Sequence, residues 1–345
     1  MKLAVIACAN GLGHVRRIIS ITAFMLKNGF SGSIDAYIPR SHINYFRDWD
    51  DCKYFTQSKQ VSIQEFYYPQ KNQLNTNVLY NHDWENINLP NLSKYDVVWS
   101  DNILQVLEKR EDAILSGSFL WHEVFEKNIN KNGLKSFVAS QKKLLDLSQP
   151  IMIGNEYFST SDVKTKTKFS PVGLYRYSIL FKEKINKGIL LSCGLGGEEK
   201  SLAKDAVEKI INEKLKPPDI LFVEPRLLPY SYPDWIKPAD FTDEMFQNCC
   251  AVCIRPGMGT LSDALISRNR VFAFSNDDSF EMIHNANVLE KMRIGQRSMN
   301  PYDAYIDAIN YLNDDKMIKK QIFRTSHLRT DGVFATADII ANIFS

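Results

Sequence analysis

Residues 252–287 read VCIRPGMGTLSDALISRNRVFAFSNDDSFEMIHNAN. A short apolar run ends in Arg255-Pro256-Gly257-Met258-Gly259-Thr260, and a helical pattern carrying Asp263 begins there. A second apolar run, Val271–Phe274, leads into a polar loop with Asp277-Asp278 and then a helix starting near Glu281. The order is strand, glycine turn, helix, strand, loop, helix. A glycine turn that opens a helix offers free backbone N–H groups and the positive end of the helix dipole, which suits a phosphate. An acid such as Asp263 near that helix start is placed to accept hydrogen bonds from ribose hydroxyls. The segment therefore reads as half of a nucleotide site.

Working outward, strand-like runs alternate with helix-length segments along the whole chain. Leu3–Ala9, Ile34–Ile38, Tyr95–Trp99, Ser118–Trp121 and Ile151–Ile153 read as strands of an N-terminal unit, with helices near 14–28 and 41–48 and an amphipathic region reaching Leu147. The pattern restarts after Pro171–Leu174, with strands at Ile189–Ser192, Ile220–Val223, Ala251–Ile254 and Val271–Phe274 and a helix at Ser201–Asn212. Such alternation specifies doubly wound parallel sheets. The expected architecture is α/β, two Rossmann-like domains facing across a cleft: 1–165, 166–330, and a C-terminal helix within 331–345 packing back on the first. At 345 residues the chain is long for a single core, which agrees with two domains. The carboxyl ends of such sheets bind ligands, so the glycine-rich turns at 10–13, 193–197 and 257–259 are expected to converge there.

Bulk composition narrows the function classes. A hydrophobic share of 44%, a charged share of 24% and a net charge of +2 describe an ordinary globular chain with no electrostatic reason to bind nucleic acid. No apolar run approaches about 18 residues, so no spanning helix is expected. The start, MKLAVIACANGLGH, reads as a buried strand rather than a leader. The six cysteines fit no zinc or redox spacing, and Cys8, Cys193 and Cys253 read as reduced core residues of a cytoplasmic protein. The glycosylation-like Asn91-Leu92-Ser93 carries no weight without a secretory signal.

Chemistry concentrates at the turns. Asn10-Gly11-Leu12-Gly13-His14-Val15-Arg16-Arg17 places a histidine at a helix start beyond the first strand, with Arg17 one turn on. The positive helix end favours a neutral imidazole, the form that takes a proton from a hydroxyl; simple capping or packing is the other reading. Asp101, just past a buried strand, is the candidate partner that would orient His14, or alternatively a helix cap. Ser192, Gly194 and Gly196 belong to a second glycine turn able to meet a diphosphate. Asp48-Trp49-Asp50 reads as a solvated loop and not a metal pair, and no metal is expected. Asp278 is placed for sugar contacts or solvent. The aromatic stretch Phe119–Phe125, followed by Lys127, Lys131 and Lys135, reads mainly as core, with an acceptor or membrane-facing surface as the alternative.

These motifs resemble nucleotide-sugar glycosyltransferases of the GT-B fold, and within them the group of the bacterial undecaprenyl-muramoyl-pentapeptide N-acetylglucosaminyltransferase and related GxGHxxR proteins. Gly11–Arg17 is similar to that group's amino-terminal turn. Arg255–Ala264 is similar to its donor signature, Glu281 with Asn285-Ala286 to its later sugar-binding element, and Tyr95–Asp101 to the strand bearing the histidine's partner. Arg268-Asn269-Arg270 stands where a glycine and proline are common. The resemblance implies transfer of a hexosyl or N-acetylhexosaminyl group, without a metal, from a nucleotide-diphosphate sugar, UDP-linked by expectation, to a hydroxyl acceptor that is a glycan, a lipid-linked sugar or a small molecule. His14 and Asp101 would be catalytic. Gly11, Gly13, Arg17, Ser192, Gly194, Gly196, Arg255, Gly257, Gly259, Thr260, Asp263, Asp278, Glu281 and Asn285 would bind the donor, Asp263 on ribose and Glu281 on the sugar. No cofactor beyond this co-substrate is expected, and contact with the inner face of a membrane is allowed. A nucleotide-sugar hydrolase or 2-epimerase, and a non-catalytic donor-binding subunit, are the alternatives.

Overall fold

The computed structural model describes residues 1–66, 87–126, 134–176, 186–194, 198–275 and 280–343. Gly196, Asp278, Lys127 and Lys131 lie outside the described residues. The chain divides into two compact units, Met1–Tyr175 with Asp331–Ser345, and Arg176–Thr330.

Among the described residues, the first unit holds a seven-stranded sheet: β1 (Lys2–Ala7), β2 (Ser33–Ile38), β3 (Val61–Glu65), β4 (Val97–Asp101), β5 (Ile114–Ser116), β6 (Ile151–Asn155) and β7 (Lys168–Val172). The order is β3-β2-β1-β4-β5-β6-β7 and every pairing is parallel. The strand order reverses direction between β1 and β4, whose register sets Ala7 beside Asp101. That switch point is where an open α/β sheet leaves a crevice for ligands. β1 is apolar throughout after Lys2 and fully buried, as a central parallel strand with both faces covered must be.

The helix Leu12–Lys27 follows from its apolar spacing: Val15, Ile18, Ile19, Met25 and Leu26 form one buried face. It starts at Gly11, whose φ of 104° is open to glycine alone, and stops where Gly29, at φ 89°, lets Phe30 N donate back to the Met25 carbonyl. The C-terminal helix Gly332–Ile343 belongs to this unit: Phe334 meets Phe24 of the first helix, and Asp331 accepts from Gly173 N. A side chain at position 332 would strike the Gly173 and Leu174 carbonyls at 2.6 Å, so the approach demands glycine.

The second unit holds a six-stranded parallel sheet among the described residues, in the order β10-β9-β8-β11-β12-β13. Its strands are β8 (Gly188–Ser192), β9 (Leu221–Val223), β10 (Ile236–Pro238), β11 (Cys249–Ile254), β12 (Arg270–Ala273) and β13 (Gly295–Arg297). Its switch point lies between β8 and β11, where Ser192 and Ile254 are register partners.

Several expectations are corrected. β7 extends the first unit beyond residue 165, because Ile151–Asn155 pairs with Lys168–Val172. The strand expected at Ser118–Trp121 is instead β5, which starts four residues earlier, and Trp121–Glu126 is helical; Gly117, at φ 152°, breaks the extended run. Asp50 and Asp51 are not loop residues but the first turn of helix Asp50–Gln57, where acids favour the helix dipole. The Phe119–Phe125 aromatics are core, as the main reading of that stretch expects: Phe119, Trp121 and Phe125 are buried, and the Trp121 ring meets both of the others. No described helix is long and apolar enough to cross a membrane. The cysteines are free and buried, and burial pushes the Cys8 and Cys193 thiols up to about 12. Arg268 takes a left-handed φ of 60°, and the buried Asn269 amide donates to the Phe246 carbonyl.

Candidate functional site

In the first unit the switch point gathers a closed polar cluster. His14 sits in the first turn after Gly11, and its Nδ1 lies 2.6 Å from Asp101 Oδ1. Asp101 Oδ2 accepts from Arg17 Nη1 at 3.1 Å and from Ser116 Oγ at 2.7 Å, and Ser116 Oγ in turn accepts from Trp99 Nε1. Burial raises the carboxyl pKa of Asp101, but the charge of Arg17 and the bonds from His14 and Ser116 outweigh it. The net position is below the usual carboxylate range, so Asp101 is an anion at neutral pH. An anion at this place fixes the histidine tautomer with its proton on Nδ1 and leaves the Nε2 lone pair outward. Nε2 has no hydrogen-bond partner among the described residues. A side chain at Gly11 or Gly13 would meet no described residue within 4 Å, so the turn beside the imidazole is open on that side among the described residues. His42 lies close enough to feel His14; burial first, and then the neighbouring imidazole of His14, hold it below its ordinary value.

Arg17 is placed differently from expectation. Its guanidinium is buried against Asp101 and 4.5 Å from the Tyr175 ring centre, where it stabilises the anion.

In the second unit the two glycine turns flank the β8/β11 switch point, and Arg255 N donates to the Ser192 carbonyl. They are not equivalent. The turn after β8 is closed by Glu224, which follows β9: its Oε2 accepts from Ser192 Oγ, Cys193 N and Gly194 N at 2.8, 3.1 and 3.1 Å. Arg226 then pairs with Glu224 Oε1. An internal carboxylate thus holds the Ser192 hydroxyl and the Cys193 and Gly194 N–H groups in the turn where a diphosphate contact was expected at Ser192 and Gly194. Arg255 also has an internal anion, the buried Glu199 at 3.4 Å, which stands in the first turn of helix Glu198–Asn212. Asp263, the expected ribose acid, is buried and accepts from Arg176 Nη1 at 2.6 Å.

The turn after β11 keeps its donors. Gly257 is the N-cap of helix Met258–Ile266 and supplies no capping side chain. The N–H groups of Met258, Gly259 and Thr260 precede the first intrahelical bond, from Leu261 N to the Gly257 carbonyl, and have no acceptor among the described residues. Gly257, Gly259 and Thr260 are partly exposed. Asn285 is fully buried and its Nδ2 donates to the Pro256 carbonyl at 2.8 Å; it pins the glycine turn from below rather than meeting a ligand through that amide. Glu281 lies in the first turn of helix Phe280–Lys291 and is partly exposed. Asn285→Ala leaves that carbonyl buried without its donor and is expected to cost about 1–3 kcal/mol. A urea midpoint equal to that of the parent chain would rule this role out.

Ser116, Arg176, Glu199 and Glu224 were missed in the sequence. Glu224 alone carried a signal, since it directly follows an apolar strand and so stands at the carboxyl edge of the sheet.

No protein-family model matches this chain, and no curated protein matches it. Solved structures do. A spinosyn rhamnosyltransferase, SpnG, complexed with thymidine diphosphate is similar over all of both chains, with 13% identity and a TM-score of 0.65. The glycotransferase of kitacinnamycin is similar with 11% identity and a TM-score of 0.64, covering 100% of this chain and 99% of the other. UGT89C1 of Arabidopsis thaliana complexed with UDP is similar with 12% identity and a TM-score of 0.62, over 100% of this chain and 99% of the other. At these identities the likeness establishes the fold: two parallel-sheet α/β units of the GT-B type.

Proposed function

We propose that the chain is a glycosyltransferase that moves a sugar from a UDP- or dTDP-linked donor to an acceptor hydroxyl. The observation that carries this reading is the buried His14–Asp101–Arg17–Ser116 cluster at the switch point of the first sheet. The donor nucleotides draw support from neighbours bound to thymidine diphosphate and to UDP. His14 Nε2 takes the acceptor proton, the acceptor oxygen bonds to the anomeric carbon, and the bond from that carbon to the phosphate oxygen breaks. Asp101 stabilises the imidazolium that forms. The N–H groups of Met258, Gly259 and Thr260 and the dipole of their helix hold the charge on the departing nucleoside diphosphate, a task that a divalent cation performs in other transferases. Glu281 is the candidate contact to donor-sugar hydroxyls. The narrower likeness to the bacterial N-acetylglucosaminyltransferase group rests on the Gly11–Arg17 and Arg255–Ala264 motifs, and acceptors in a membrane-linked pathway belong to that narrower reading.

The test is nucleotide binding with a built-in control. Gly257 has φ −71° and ψ 141°, and a Cβ there meets nothing within 4 Å, so Gly257→Val fits the backbone without strain. An N-cap side chain stands over the next N–H groups, so the valine obstructs the phosphate. Calorimetry should find UDP or dTDP binding to the parent chain and at least about tenfold weaker binding to the variant, the effect of losing one charge-assisted bond or more, at an unchanged melting temperature. No binding of UDP, dTDP, GDP or CDP to the parent chain would sink the proposal. Rapid release of free sugar without any acceptor would reassign the site to hydrolysis.

A further inference from the structure

Asp263 and Asp243 converge on a single guanidinium. Arg176 Nη1 donates to Asp263 Oδ1 at 2.6 Å, and Nη2 donates to Asp243 Oδ1. Arg176 is the first residue of the second unit, Asp243 opens helix Asp243–Asn248, and Asp263 lies within helix Met258–Ile266 behind the glycine turn. The arrangement is asymmetric in burial: the side chain of Asp263 is 4% exposed and that of Arg176 17%, whereas Asp243 is 45% exposed. The Arg176–Asp263 half is therefore the desolvated half, and a fork that reaches two carboxylates is held in one orientation.

A ribose hydroxyl that bonded to Asp263 would have to take the place of this guanidinium. The exchange is unfavourable twice over. A neutral hydroxyl makes a weaker bond to a carboxylate than a guanidinium does, and Arg176 would stay buried with its better-shielded anion gone. We infer that Asp263 serves Arg176 and not the nucleoside, so that the donor site does not read the ribose 2′-hydroxyl through a carboxylate and accepts ribo- and 2′-deoxyribonucleotides alike. Arg176 is then a specificity-determining residue acting through Asp263: it engages the acid of helix Met258–Ile266 that would otherwise favour ribose. This inference rests on the proposed nucleotide-binding function and specifies the nucleotide class.

The experiment is calorimetry on the full chain with UDP and 2′-deoxy-UDP as probes. The parent chain is expected to bind the two with affinities within about threefold of each other. Arg176→Gln takes the guanidinium away from the Asp263 carboxylate, and a preference for UDP of about tenfold should emerge, as one hydrogen bond to a charged acceptor predicts. Adding Asp263→Asn to Arg176→Gln should abolish that new preference. A tenfold or greater preference for UDP in the parent chain overturns the inference, and this reading needs no variant to fold. Equal binding of the two probes by a folded Arg176→Gln overturns it as well, because Asp263 would then be out of reach of the ribose whatever Arg176 does. Failure of the parent chain to bind either probe is distinguishable from both, since it refutes the nucleotide-binding reading itself and this inference along with it.

Discussion

His14→Ala is expected to slow sugar transfer by roughly 10²–10⁴-fold, the usual contribution of a positioned general base, while nucleoside diphosphate affinity stays within about threefold of the parent value. The argument runs from geometry. Asp101 is an anion bonded to Nδ1, so the imidazole presents Nε2, and the alanine variant retains the cluster of Asp101, Arg17 and Ser116 without the group that accepts a proton. The N–H groups proposed to hold the diphosphate belong to helix Met258–Ile266 of the second unit, and His14 belongs to the first. The loss should therefore fall on kcat with little change in KM for the donor. Asp101 Oδ1 gives up one bond, so unfolding free energy should drop by about 1–3 kcal/mol at most, small enough to keep the variant folded. Free imidazole, small enough for the space left by the side chain, should restore part of the rate. Transfer by a folded His14→Ala within threefold of the parent chain would remove His14 from the chemistry.

What could be read in the sequence and what could not divides along a physical line. Central strands announce themselves because both faces are buried: Leu3–Ala7 and Val252–Ile254 are unbroken apolar runs. Edge strands do not, and Val61–Glu65, Ile236–Pro238 and Gly295–Arg297 carry charges and polar side chains that look like loop. The pairing of His14 with Asp101 was legible because each residue ends or follows a central strand, and parallel register brings such positions together across the sheet. The charge economy of the second unit was not. Arg255, Asp263 and the Ser192–Gly194 turn look like free ligand-binding groups when read one at a time. Their partners Glu199, Arg176 and Glu224 come from other elements, and only the fold sets them within bonding distance. A motif names the residues near a ligand, while the residues that neutralise them are fixed by tertiary contacts with no sequence period of their own.

Asp101→Asn should produce the other large effect, in activity and in stability together. Asparagine keeps the shape but offers His14 an uncharged partner whose amide can donate as well as accept. The imidazole then loses both its enforced tautomer and the counter-charge for its protonated form. Transfer should fall by about 10²–10⁴-fold, and the double variant with His14→Ala should be little worse than either single change, because the pair acts as a unit. Stability falls because Arg17 remains buried against Tyr175 with its anion gone; truncating one partner of a buried pair costs about 3–5 kcal/mol. The pH dependence follows from the depressed carboxyl of Asp101, on which Arg17, His14 and Ser116 prevail over the upward push of burial. A folded-state value below the unfolded one, about 3.9 for an aspartate, means that the stabilisation is fully present above that value and is lost as the pH falls through the folded-state value. Urea midpoints of the parent chain and of Asp101→Asn should therefore differ at every pH above about 4 and converge below it. Comparing the two chains at each pH cancels the other carboxylates. A gap that persists undiminished under acid conditions in which both chains still fold would mean that the stabilisation does not come from the ionised Asp101, and the assignment of this residue as the anion that holds His14 would fall with it.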